Sequence, residues 1–230
     1  MSASLAFVEN ELQLIALGFM ALVYILRIRW ILRYKAGGDR QAPTGNPGST
    51  PAKGAIYSLF NIAMPWAMES TRQKFFFYVQ FVIFHLGVVA AIAMSFVIPY
   101  APRLMEPPWV VYSFQGILGA ACLIGCYRLY RRFTHPVMRQ ISTPDDIFSL
   151  LLLTVFFFSA ALAAPNRPDQ GEGALIFYFL MTAFFLFYVP FSKISHYLYY
   201  PFTRFYFGRT MGHRGVYPMK HSPQPKPTKN

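Results

Sequence analysis

Two histidines stand inside long apolar stretches: His85 in FVIFHLGVV and His196 in PFSKISHYLYYPF. An imidazole in hydrocarbon is costly unless its polarity is used, so each is a candidate functional residue. One imidazole from each of two facing helices makes the ligand set of a bis-histidine haem iron, and the core of a helical bundle supplies that geometry. Gly87, two residues past His85, would let a flat, bulky cofactor approach its helix closely. The competing reading is that each histidine only hydrogen-bonds helices together. No other histidine lies in an apolar stretch, and the two lie in different ones, so the pair points to a single iron shared between them.

Other residue types that ligate metals give weaker signals. Cys122 and Cys126 are spaced one helical turn apart on one stretch; without further partners they read more simply as small residues at a helix contact. Met94 and Met181 could ligate iron through sulfur or simply pack. His135, His213 and His221 lie in polar segments and read as solvated. No CxxCH, P-loop, GxGxxG or HExxH pattern is present. Thr143, Pro144 and Asp146 spell a capping box with proline at the first helical position. The alternative role for Asp145 or Asp146 is proton delivery.

The elements that carry these residues are set by composition. Hydrophobic residues make up 55% of the 230-residue chain and charged residues only 13%, about half the share usual in soluble domains. Five apolar stretches, at 12–32, 75–98, 109–127, 147–164 and 174–200, are long enough for helical spans. They are too long and too continuous for barrel strands. The last is interrupted by Pro190 and Lys193. The expected fold is therefore an all-α integral membrane bundle of five transmembrane helices, with one membrane domain over 1–200 and a basic tail over 201–230. No internal repeat is visible. The N-terminus lacks the basic flank of a cleaved secretory signal.

Between spans, 37–54 reads as a Gly/Pro-rich loop. Segment 55–64, with Ile56, Leu59, Phe60 and Ala63 near helical spacing and Trp66 just beyond, reads as a short interfacial helix. Residues 221–230, with three prolines and two lysines, have the composition of a disordered tail.

The 21 Lys and Arg residues are distributed unevenly. Nineteen fall in 27–74, 128–139 and 193–230, and only Arg103 and Arg167 fall on the other side. The positive-inside rule places the N-terminus outside and the C-terminus in the cytoplasm, in a multi-pass inner (plasma) membrane protein. The net charge of +12 is then explained by topology and anionic lipid headgroups, or by a docking surface for a cytoplasmic partner. Charges scattered over inter-span loops do not form a nucleic-acid interface. The ends of the ligand-bearing stretches also carry Arg72, Lys74, Lys193 and Arg204, which could pair with haem propionates.

Four segments bring a family into view: AMPWAMESTR, FHLG, MRQISTPDDIFSLLL and PFSKISHYL. With the span count, they resemble the gamma-subunit family of respiratory nitrate reductase, membrane cytochromes b with five helices. The chain looks closest to the branch found with sulfite-reductase-linked and heterodisulfide-reductase-like complexes. The resemblance implies a haem b subunit that relays electrons between the membrane quinone pool and a cytoplasmic iron–sulfur subunit. On that resemblance it would not be catalytic alone. Nitrate reductase members hold two haems. Here His85 and His196 match the positions that share the haem nearest the cytoplasm, and the other two positions fall on Ser95 and Tyr178. The resemblance therefore implies one haem b, with quinone as a possible substrate. A haem-free membrane anchor is the alternative.

The charge bias yields a direct test of orientation. Single cysteines introduced at Ser2 and Asn230 are expected to react with an impermeant reagent from outside and from inside, respectively. Outside labelling at position 230 would reverse the topology.

Overall fold

The computed structural model describes residues 2–35 and 37–219, apart from the side chain of Ser70. Among them the regular structure is helical throughout, with no strand. This follows from the bilayer, where backbone polar groups must be satisfied within each segment and only helices or closed barrels do so. Five helices are long and apolar enough to cross a membrane. They are α1 (Ala3–Arg33), α3 (Phe75–Tyr100), α4 (Pro108–Thr134), α5 (Pro144–Ala163) and α6 (Gly173–Tyr188), the last extended by a 3-10 turn to Phe191. Two further helices are α2 (Pro51–Phe60) and α7 (His196–His213). The protein is a multi-pass helical membrane protein.

The chain divides into two compact units, one of residues 1–33 and 79–195, the other of 34–78 and 196–230. Residues 1–200, read from hydropathy as one membrane domain, contribute to both. The fifth span also stops earlier than expected. Pro190 has no N–H to continue the ladder and its ring crowds the carbonyl four residues back. The chain passes through two 3-10 turns, Val189–Phe191 and Lys193–Ser195, with Ser192 extended between them. His196 is thus the first residue of a separate helix rather than part of the fifth span. Residues 201–213, expected as tail, are helical. The disordered tail expected at 221–230 lies outside the described residues.

In the first unit, α4 packs along α5, α5 against α6, and α6 against α1. α1 begins earlier than hydropathy indicated, at Ala3, and carries a π-helical turn at Phe7–Glu11. Beside that turn, the buried Gln13 donates through Nε2 to the carbonyls of Val8 and Phe179, both at 2.8 Å, tying α1 to α6. The capping box at the start of α5 is present: Thr143 and Asp146 each accept from the other's backbone N–H. Lys193 reaches back to it, with Nζ 3.0 Å from Asp146 Oδ1 and 2.8 Å from Thr143 Oγ1.

The second unit is built on α2 against α7. Thr50 caps α2, its hydroxyl accepting from the Lys53 N–H, so this helix starts within the stretch expected as a loop. The contact uses glycines because backbone meets backbone. A Cβ on Gly54 would lie 2.3 Å from the Gly208 carbonyl oxygen, and one on Gly212 would lie 2.3 Å from that of Thr50. With Ser58 beside Gly208, the pair has the small-xxx-small spacing on both helices. The last carbonyls of α2 have no partner within their own helix. Those of Ser58 and Leu59 accept instead from Arg204 Nε and the Tyr200 hydroxyl, each at 3.1 Å. Beyond the helices, Gly45 and Asn46 N–H groups donate to the carbonyls of Arg214 and Gly215. Arg214 pairs with Asp39 at 2.6 Å, and that guanidinium holds the carboxyl below its ordinary range.

Gly54→Ala is expected to lower stability by about 1–3 kcal/mol through overpacking. Gly116→Ala, with nothing within 4 Å of the added carbon, should leave it unchanged or raised. Thermal unfolding of the purified protein in detergent measures both.

Candidate functional site

α3 is a run of apolar residues from Phe75 to Tyr100, and His85 sits in its middle, half-buried. Its Nδ1 lies 2.7 Å from the Phe81 carbonyl, one turn back. A carbonyl only accepts, so Nδ1 carries the hydrogen. In the neutral imidazole the lone pair is then on Nε2. Histidines that ligate metals commonly have their other ring N–H held by a backbone carbonyl in this way. The ring leans on Phe81, with centroids 4.1 Å apart, and meets Phe84 edge-on at 6.2 Å. Phe84 is itself held edge-on against Phe157 at 5.0 Å, with the Arg128 guanidinium 5.2 Å from its ring centre.

His196 opens α7 and is exposed. It belongs to the second compact unit and His85 to the first, so each is placed within its own unit. Among the described residues no cluster of three or more His, Cys, Asp or Glu could hold a metal ion. A two-histidine haem site needs none.

The expected role of Gly87 needs correction. A Cβ there would fall 2.3 Å from the Ala121 Cβ and 3.4 Å from Phe157 Cε1. The glycine lets α3 approach α4 and α5, and its open side is filled by protein. Ser95 and Tyr178 are engaged in other contacts. The Ser95 hydroxyl donates to the Ile92 carbonyl at 2.7 Å. Tyr178 is fully buried, stacks on Phe156 with rings 5.8 Å apart and 9° from parallel, and donates to the Ala91 carbonyl at 2.6 Å. It fastens α6 to α3. Met94 is fully buried in the same core, Met181 is half-buried, and Cys122 and Cys126 are free thiols, half-buried and exposed.

Of the four cations considered for propionates, Lys193 is bound to the α5 cap and Arg204 to the end of α2. Arg72 and Lys74 are exposed. His135 is exposed at the junction of α4 with a short helix at Pro136–Ile141. His213 lies 3.1 Å from the Gln41 carbonyl, and His221 lies outside the described residues. Among the polar contacts that escaped sequence reasoning, two had a visible signal. One is Gln13. The other is Tyr188, whose hydroxyl donates to Asp145 Oδ1 at 2.8 Å and lies 3.1 Å from the buried Ser149 hydroxyl. A glutamine near the start of a span, and a tyrosine at the end of another opposite an acidic cap, were the available signals.

These features define the class, a multi-pass helical membrane protein with one histidine mid-span and one at the start of a helix just past the last span. A protein of Nitratidesulfovibrio vulgaris strain Hildenborough is 26% identical over 156 residues, 63% of this chain and 65% of that relative. The chain thus spans just under two thirds of the relative's length. No family model and no solved structure matches.

Tyr178→Phe removes one hydrogen bond and is expected to cost about 1 kcal/mol. Tyr178→Ala empties a packed aromatic site and should cost about 3–5 kcal/mol. Denaturant unfolding in mixed micelles measures both, and equal losses would show that the hydroxyl carries the contact.

Proposed function

We propose that this chain is the haem b membrane subunit of an oxidoreductase complex, relaying electrons between the membrane quinone pool and a cytoplasmic iron–sulfur subunit. The observation that carries the reading is the setting of His85: mid-span, with Nδ1–H on the Phe81 carbonyl and Nε2 as the basic nitrogen. His196, in the PFSK segment that carries the family resemblance, is the partner ligand. Bound by these two, haem b supplies a one-electron carrier. Tyr178, buried and hydrogen-bonded across to α3, and Ser95, bonded to its own helix, favour one haem over two. The iron–sulfur partner would dock on the face bearing Arg131, Arg132 and His135, where positive charge hastens encounter with an acidic surface.

A second reading, a haem-free anchor of a multi-subunit complex, is favoured by one observation. Gly87 is occupied by helix packing and leaves no room there for a macrocycle.

The absorption spectrum and pyridine haemochrome of the purified protein separate the two readings. One haem b per chain is expected, lost in both His85→Ala and His196→Ala. Two haems per chain would overturn the single-haem reading, normal haem in both variants the ligand assignment, and no haem in the wild type would leave the anchor.

A further inference from the structure

We infer that the helix pair α2–α7 is a lipid-binding foot, whose outward face on α2 binds an anionic phospholipid surface. Glycine stacking takes up one side of each helix. On α2 the packed side is Gly54, Ser58 and the following Asn61, and the opposite side presents Lys53, Ile56 and Phe60, all exposed. Trp66, a few residues past the end of α2 in the same unit, is 61% exposed, and the Tyr57 hydroxyl reaches the carbonyl of the next residue, Ala67, at 3.4 Å. On α7, Phe205 and Arg209 border the glycine seam, stay exposed, and pair as cation and ring at 5.8 Å.

The occupant is identified by three features. Exposed Trp and Phe beside Lys and Arg are the residues that settle at headgroup depth, ring inward and cation outward. The unit holds eight Lys or Arg against two acids, Asp39 and Glu69, over 34–78 and 196–219, and Asp39 is already spent on Arg214. Its two segments are joined directly to the ends of spans at Arg33, at Phe75 and after Phe191, so the chain itself keeps this unit at a membrane surface. An amphipathic helix so tethered needs only the anionic surface to bury its apolar side. The inference is independent of haem.

The test uses the full chain with Trp66 as sole tryptophan (Trp30→Phe, Trp109→Phe). It is reconstituted into vesicles of phosphatidylcholine alone or mixed with phosphatidylglycerol. Adding phosphatidylglycerol should shift Trp66 emission to the blue and make lipid brominated in the upper acyl chain an effective quencher. At a fixed phosphatidylglycerol fraction, Lys53→Gln should lower the ratio of lipid-inserted to water-exposed Trp66 about fivefold, the effect of one near-surface cation. Three outcomes would overturn the proposal: Trp66 equally open to aqueous quencher in both vesicles, a shift unaffected by lipid charge, or protection that appears only when an acidic protein partner is added. Circular dichroism of Lys53→Gln identical to the parent guards against misfolding as the cause.

Discussion

Lipid tails are as apolar as leucine, so the hydrophobic effect does not drive these helices together once they are in the membrane. What remains is close packing and hydrogen bonding between helices, and the structure relies on both at few points. Gly87 against Ala121 brings α3 onto α4. The Tyr178 hydroxyl on the Ala91 carbonyl joins α6 to α3, and Gln13 on the Phe179 carbonyl joins α1 to α6. The last two satisfy a polar side chain that hydrocarbon would otherwise leave without a donor or acceptor, so they are specific as well as adhesive. The rest of the helical surface, rich in exposed Leu, Ile and Phe on α1 and α3, is what lipid requires.

That constraint explains which features were legible in the sequence. Span number follows from apolar length, and the α5 cap from Thr143, Pro144 and Asp146, because both signals are local. Two other features were not legible. The start of α1 at Ala3 includes Glu9, Asn10 and Glu11, whose polarity hid a helix continuous with the span. The pairing of α2 with α7 joins segments more than a hundred residues apart. Its glycines are visible in sequence, but nothing local says that Gly54 answers Gly208 and Gly212.

The same distinction applies to the candidate site. His85 stood out because an ionisable group in a span is rare, and its contact with Phe81 is a local, one-turn hydrogen bond. The role of Gly87 depended on what lies across from it, which only tertiary structure supplies. Sequence alone offered a glycine beside a histidine. The fold uses the glycine for α4 and α5, so a ligand role for His85 would depend on the imidazole and not on space beside it.

The PFSK segment has a physical meaning of its own. Pro190 ends the ladder of α6, and the Ser192 hydroxyl donates to the Val189 carbonyl and accepts from the Ile194 N–H. The break is therefore stabilised within the segment. Lys193 then clamps it to the capped start of α5. A sequence that needed only to stop a span and anchor its end would keep these four residues without any cofactor. His196 is different. It follows the break and is exposed at the first position of α7. In the proposed haem site the ligand would be that one side chain, while Pro190, Ser192 and Lys193 serve the architecture.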